Sequence, residues 1–153
     1  MKTLLSKRNL VKSPSPQPSP VAKERKLPRR GDGFSSNHVM VNDLRKEHHV
    51  PPLVRSRELD DFARSHAETM AKNLSLTHSV EETESLQQIL GSEFVGENIQ
   101  RGDSIKGMHS TTVSRRSAQF WNLVSGDFTQ FGMATARGAD GKLYMCQVFR
   151  RKD

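Results

Sequence analysis

Side chains able to do chemistry are few in this sequence. Its 153 residues include six histidines and a single cysteine, Cys146. With one cysteine no intramolecular disulfide can form, which fits a reducing compartment or a domain stable without staples. His48 and His49 are neighbours, and adjacent side chains on a helix point in different directions, so they do not share one metal. Packing of one at a helix end and solvation of the other accounts for the pair. No His-Glu-x-x-His spacing occurs, which removes the helical zinc-protease arrangement. Serine, threonine and Cys146 supply nucleophiles, yet no spacing pairs any of them with a base. Cys146 lies mid-strand in an apolar run, the setting of a buried structural thiol.

The elements that must position these groups belong to one domain of ordinary size. Hydrophobic residues make up 33% and the mean hydropathy is −0.69. Residues 1–30 explain much of that polarity: they hold nine basic side chains and one acid, Glu24, for a net charge of +8. The remaining 123 residues carry 15 basic and 16 acidic groups, so the basic character belongs to the tail. Any steering toward nucleic acid or an anionic membrane would come from there. Residues 13–20 read Ser-Pro-Ser-Pro-Gln-Pro-Ser-Pro, where alternate prolines remove backbone donors and hold the chain extended. The Ser-Pro pairs suit proline-directed phosphorylation, and Arg29-Arg30 suits processing. We therefore expect a disordered tail over 1–33 and a folded domain over 34–153. Lys7 and Arg8 interrupt the leader-like start before an apolar run of roughly 7–15 residues can form, leaving organellar, intracellular and secreted routes open. No stretch reaches the roughly 20 apolar residues that span a bilayer.

Within the domain, a first helix is predicted over Ser35–His49, ended by Pro51-Pro52. The clearest period runs over 57–74, where Leu59, Phe62, Ala63, Ala67, Met70, Ala71 and Leu74 share one helical face with His66 between them. Ser56 is its expected N-cap, and Glu58, Asp60 and Asp61 suit the dipole. A short helix over 82–90, a strand over 95–99 and a helix over 108–123 follow, with Trp121 expected in the core. Gln130–Arg137 and Lys142–Arg150 flank Gly138-Ala139-Asp140-Gly141 as a hairpin. Tyr144, Cys146 and Val148 alternate with Leu143, Met145 and Phe149, so the last strand is apolar on both faces and needs cover on both. Helices on either side of an antiparallel sheet, an α+β fold of the α-β-α sandwich type, satisfy that need.

Asn42-x-x-Arg45-x-x-His48-x-Val50-Pro51-Pro52-Leu53, then Leu59, Ala63, Ala67, Met70 and His78-Ser79, resembles the opening of the CAP superfamily. This group contains the cysteine-rich secretory, antigen-five and pathogenesis-related-one proteins, and its domain is also called the SCP domain. Gly96-Glu97-Asn98-Ile99 resembles its Gly-Glu-Asn signature. Asp127-Phe128-Thr129-Gln130-Phe131-Gly132-Met133, Asp140-Gly141-x-x-Tyr144 and Gln147-Val148-Phe149 resemble the closing sheet of its disulfide-free, bacterial-type branch. The matches run in family order over 35–150, and the family fold is an α-β-α sandwich.

The resemblance implies a cleft of two histidines and two glutamates that binds a divalent metal such as zinc in some members. His78 falls at the first histidine and Glu97 at the signature glutamate. Gln119 stands where the second histidine belongs, and the second glutamate has no counterpart, since Asp103 is the only acid between 103 and 126. Zinc takes three or four ligands, and glutamine is a poor replacement for imidazole. A metal would need His78, Glu97 and a third donor such as His109 or His48. Otherwise the three cleft positions form a hydrogen-bonded polar cluster. The expectation is a non-enzymatic binding module for a lipid or sterol, a membrane or a protein partner. The alternative is a metal-dependent or hydrolase-like activity with Glu97 as general base through water. Relatives of this kind are mostly extracellular. Two Arg-Gly-Asp tripeptides (30–32 and 101–103), the Asn73-Leu74-Ser75 sequon and Arg115-Arg116 carry little weight beside these.

Overall fold

The structure, a computed structural model, describes residues 33–152. The tail with its Ser-Pro run, Arg29-Arg30 and the first Arg-Gly-Asp lies outside the described residues.

Helix α1 spans Gly33–Glu47 and stops as His49 turns into the left-handed region (φ 59°) ahead of Pro51-Pro52. A two-residue strand, β1 (Val54–Arg55), leads to α2 (Arg57–Asn73). The hydroxyl of Ser56 accepts a hydrogen bond from the Leu59 N–H, and Glu58 and Asp60 occupy the first turn, as the capping pattern predicts. Helix α3 (Thr83–Leu90) closes on Gly91 at φ 67°, a conformation that glycine takes without steric cost. Strand β2 (Val95–Gly102) follows, longer than expected by three residues.

The region read as one helix over 108–123 is two, α4 (Ile105–Arg115) and α5 (Ala118–Val124). Arg116 at φ 51° breaks the path, and Ser117 returns to extended backbone. The redirected α5 buries Phe120, Leu123 and Val124, while Arg116 lies 4.4 Å over the Phe120 ring. Trp121 is corrected by the same redirection: it is 45% exposed and meets Phe120 edge-on from outside.

The hairpin of β3 (Gln130–Arg137) and β4 (Leu143–Arg150) lies at the centre of a sheet ordered β1-β3-β4-β2. β4 pairs antiparallel with both neighbours, whereas β1 runs parallel to β3, so the sheet is mixed. Successive residues of β4 enter different cores, which is why apolar residues occupy both of its faces. Tyr144, Cys146 and Val148 join Leu59, Ala63, Ala67 and Met70 of α2 and Leu86 and Leu90 of α3. Met145 and Phe149 join Val41 and Leu44 of α1, Met108 of α4 and Phe120 and Leu123 of α5. The predicted α-β-α sandwich is the observed architecture.

Arg45 locks the second layer. Wholly buried, its guanidinium donates to the carbonyls of Pro51 (2.8 Å), Leu123 (2.9 Å), Ser125 (3.0 Å) and Phe128 (3.3 Å). Burial lowers its pKa to about 9, still high enough to keep it cationic at neutral pH. Asn42, one turn earlier, brackets Leu53: its amide oxygen accepts from the Leu53 N–H and its Nδ2 donates to the Leu53 carbonyl. The Asn42-x-x-Arg45 spacing is thus a device for fastening α1 to two loops.

Candidate functional site

His78 belongs to the connection between α2 and α3, and two helix-derived contacts aim it. Ser75 N–H donates to the Met70 carbonyl past the left-handed Leu74, and a ring nitrogen of His66 bonds the Thr77 carbonyl. The amphipathic helix thereby uses its one histidine to hold the segment against β2. Glu97 projects from β2 into the α2 side, since it shares a face with its cross-strand partner Val148.

The two meet at 2.7 Å, His78 Nδ1 to Glu97 Oε1. The Ser79 backbone N–H donates to the same oxygen at 3.0 Å, and the Cys146 thiol reaches Oε2 at 3.8 Å. Burial pushes the Glu97 pKa up, but the hydrogen bonds from His78 and Ser79 outweigh it and leave it below its ordinary value of 4.5. The carboxylate is ionised, so Nδ1 of His78 must carry the proton it donates. Cys146, raised well above the ordinary thiol range by burial and by the Glu97 charge, stays a thiol. A weakly basic carboxylate at 0% exposure is poorly placed to activate water, and only Nε2 of the 20% exposed His78 is uncommitted.

Among the described residues no hydrogen bond joins the Gln119 side chain to His78 or Glu97. The Gln119 backbone carbonyl accepts from Asn98 Nδ2 (3.0 Å), and Asn98 projects from the face of β2 opposite to Glu97. The side-chain Oε1 of Gln119 is buried with no hydrogen-bond partner among the described residues. His48 lies edge-on to Phe120, and His109 sits on α4, both in the helical layer on the Asn98 side of the sheet. Among the described residues no group of three His, Cys, Asp or Glu side chains is placed to hold a metal ion. With Glu97 engaged by His78 Nδ1 and Ser79, His78 Nε2 is left as a lone donor, short of the three or four that a zinc centre takes.

Sequence reasoning missed a second polar cluster. Asn122 Nδ2 donates to Asn98 Oδ1 (2.9 Å), Asn98 Nδ2 to Gln147 Oε1 (3.2 Å), and Gln147 Nε2 to Asn37 Oδ1 (2.9 Å). All four residues are buried, and the chain of amides ties α1, β4, β2 and α5 together. One signal was available: Gln147 is the lone amide in a strand that is otherwise apolar up to its terminal Arg150. The Gly-Glu-Asn motif acquires a physical meaning here. A Cβ on Gly96 would come within 3.0 Å of the Phe128 ring and 3.1 Å of Asn122 Oδ1, Glu97 serves one face, and Asn98 serves the other.

A groove of about 360 Å³ opens between α1 and α4. Met40, Leu44 and Val113 give it an apolar floor, while Asp43, Glu47, His109, Ser110 and Ser114 form its walls. Burial lowers the pKa of His109, so this ring is neutral at pH 7. Of the remaining motifs, Asn73 is exposed, and Asp103 of the second Arg-Gly-Asp pairs with Lys142 Nζ at 2.9 Å.

A mixed four-stranded sheet between two helical layers, with a signature Gly-Glu-Asn strand facing a loop histidine, defines a CAP-type domain. The chain belongs to the CAP, or cysteine-rich secretory protein, family, whose model matches residues 39–149. No curated protein sequence matches it. An outer surface protein of Borrelia burgdorferi is similar in structure at 18% identity and a TM-score of 0.63, covering 77% of this chain and 92% of that one. An extracellular SCP-domain protein of Bacillus anthracis str. Ames is 23% identical with a TM-score of 0.63, covering 78% and 40%. Venom allergen-like protein 4 of Schistosoma mansoni is 12% identical with a TM-score of 0.58, covering 81% and 92%. At these identities the likeness is one of fold. The chain spans 40% of the Bacillus protein's length.

The carboxylate can be tested by acid titration. A pKa lowered by folding means stability that is present above about 4.5 and lost as pH falls through the folded value. Two other buried groups titrate nearby. Burial, then Arg55, lowers the His38 pKa from 6.5 to about 4, so His38 removes stability as pH falls across that window. Burial raises that of Asp60 from 3.8 to about 6, so Asp60 adds stability as pH falls between those values. Comparing Glu97→Gln with the parent isolates Glu97. We expect the variant to lose about 2 kcal/mol at pH 7 and the difference to shrink below pH 4.5, read by urea denaturation. A difference independent of pH would mean that Glu97 acts through packing alone.

Proposed function

We propose that this protein is a non-catalytic binding module of its family, taking a lipid- or sterol-like amphiphile in the α1–α4 groove. One observation carries the reading: the Glu97 carboxylate is wholly buried and engaged by His78, Ser79 and Cys146, so the pair serves as a staple between loop and sheet. With chemistry at the pair closed off, the groove is the larger opportunity. Its floor of Met40, Leu44 and Val113 suits an apolar body, and the carboxylates of Asp43 and Glu47 favour a neutral or cationic head over an anionic one.

The test is a titration of the full chain with a fluorescent sterol and a fluorescent long-chain alcohol. Saturable binding is expected, weakened about tenfold by Val113→Lys, which puts a charge on the apolar floor. His78→Gln should bind as the parent does. Binding lost in His78→Gln and unchanged in Val113→Lys would overturn the reading and return attention to the His78–Glu97 pair.

A further inference from the structure

At the corner where α4 gives way to α5, an exposed indole lies beside two arginines. Trp121 is the only tryptophan of the chain, and its ring is 45% exposed where it meets Phe120 edge-on at 4.9 Å. Arg116 lies 4.4 Å over the Phe120 ring and His48 meets it at 5.6 Å, so all three side chains gather on one buried aromatic. Arg115 and Arg116 are both exposed, and neither is in an ion pair among the described residues. The chain from 104 to 126 contains no acid to offset them.

Two further observations set this corner apart from an ordinary solvated surface. Arg116 takes φ 51°, a left-handed conformation that costs energy for any residue with a side chain. Glycine would make the same turn without strain, but would leave no cation at the surface. The second observation is position. Glu47 and Ser114, the last groove residues of α1 and α4, lie one residue before His48 and two before Arg116. The groove with its floor of Met40, Leu44 and Val113 therefore ends beside Trp121 and the arginines.

We propose that Trp121, Arg115 and Arg116 form a docking surface for a bilayer that carries anionic lipid. An indole ring has an apolar body and a polar N–H, and settles at the boundary between acyl chains and headgroups. The arginine fork matches phosphate and carboxylate groups, and each cation near an anionic leaflet adds to the attraction. Residues 31–153 carry 15 basic and 16 acidic groups, so this attraction is local and would orient the domain. A nucleic acid asks instead for a row of cations that tracks its backbone, and this corner offers one adjacent pair. Docking is independent of the groove, whereas passage of an amphiphile from the bilayer into the groove rests on the function proposed above.

The experiment uses the full chain and its own single tryptophan as the probe. Vesicles are made of phosphatidylcholine alone, or of phosphatidylcholine and phosphatidylserine in equal parts, with brominated acyl chains that quench an indole in the bilayer. Trp121 emission should shift to the blue and be quenched by the mixed vesicles and not by phosphatidylcholine alone. Arg115→Gln with Arg116→Gln should raise the lipid needed for half-quenching about tenfold. Arg115→Gln alone, which breaks no ion pair among the described residues, should raise it about threefold. Arg57→Gln with Arg64→Gln removes the same charge from exposed positions on α2, across the sheet, and should dock as the parent does. Equal losses in the two double variants would overturn the proposal. So would a chain that sediments with the mixed vesicles while Trp121 emission stays unchanged, since the basic tail would then be the contact. Quenching by a single-stranded oligonucleotide where the mixed vesicles have no effect would assign the corner to nucleic acid instead. Docking without any binding of the fluorescent amphiphile in vesicle-free buffer would overturn the passage into the groove and the function proposed above, but not the docking.

Discussion

Gly132→Ala is expected to be the most damaging single-methyl change in the domain. A Cβ at 132 would lie 2.3 Å from the backbone carbon of Leu59 and 2.4 Å from the Asp60 nitrogen. These are main-chain atoms of the first turn of α2, which has no freedom to retreat. The Ser56 N–H donates to the Phe131 carbonyl (3.0 Å), and the Met133 N–H donates to Asp60 Oδ1 (3.2 Å). The helix is therefore stitched to β3 on both sides of Gly132, and relief requires breaking the stitches. A cost on the order of 4 kcal/mol is expected, at the upper end of overpacking effects and a large share of a small domain's stability. Thermal melting checks it, with Gly126→Ala as control because a Cβ there meets nothing within 4 Å. Equal melting of the two variants would mean that α2 can slide off the sheet at little cost.

Arg45→Met should rank beside it. Methionine retains much of the apolar stem that packs in the layer, so the change isolates the guanidinium. Its loss removes the donor that the carbonyls of Leu123, Phe128 and Pro51 share, and leaves that of Ser125 only a 3.5 Å bond from the Phe128 N–H. At about 1–3 kcal/mol for each buried acceptor left unsatisfied, partly relieved by water at the loop side, the cost is about 4 kcal/mol. The melting temperature should fall by about 15 °C. Arg45→Lys keeps the charge but not the fork, and should recover only part of the loss. If Arg45→Lys melted with the parent, charge rather than multidentate bonding would be the reason for arginine at this position.

Local physics made much of this fold legible before any coordinates. Helix α2 announces itself through one apolar face, a capping serine and acids in the first turn, all short-range effects. The hairpin follows from its turn residues, and the two-faced apolarity of β4 implies cover on both sides. His78 and Glu97 were paired by resemblance, and they do touch. The break at Arg116, the exposure of Trp121 and the parallel β1 were not legible. Each depends on where α5 and the β1 segment come to rest against distant chain, and a seven-residue helix or a two-residue strand carries too little periodicity to reveal it.

The cleft divides along the same line. That polar residues would gather near the Gly-Glu-Asn strand was implied by the family resemblance of that motif and of His78. Their partners were settled by packing. Alternation along β2 sends Glu97 to the His78 side and Asn98 to the Gln147 side, so neighbouring residues of one motif serve two faces of the sheet. The groove between α1 and α4 is likewise a product of packing. Met40, Asp43, Leu44 and Glu47 are a helical stripe in any reading, but α4 must lie alongside before that stripe becomes a wall. Spacing within an element is set by bond geometry and can be read in the sequence, whereas spacing between elements is set by the packing of side chains far apart in the chain.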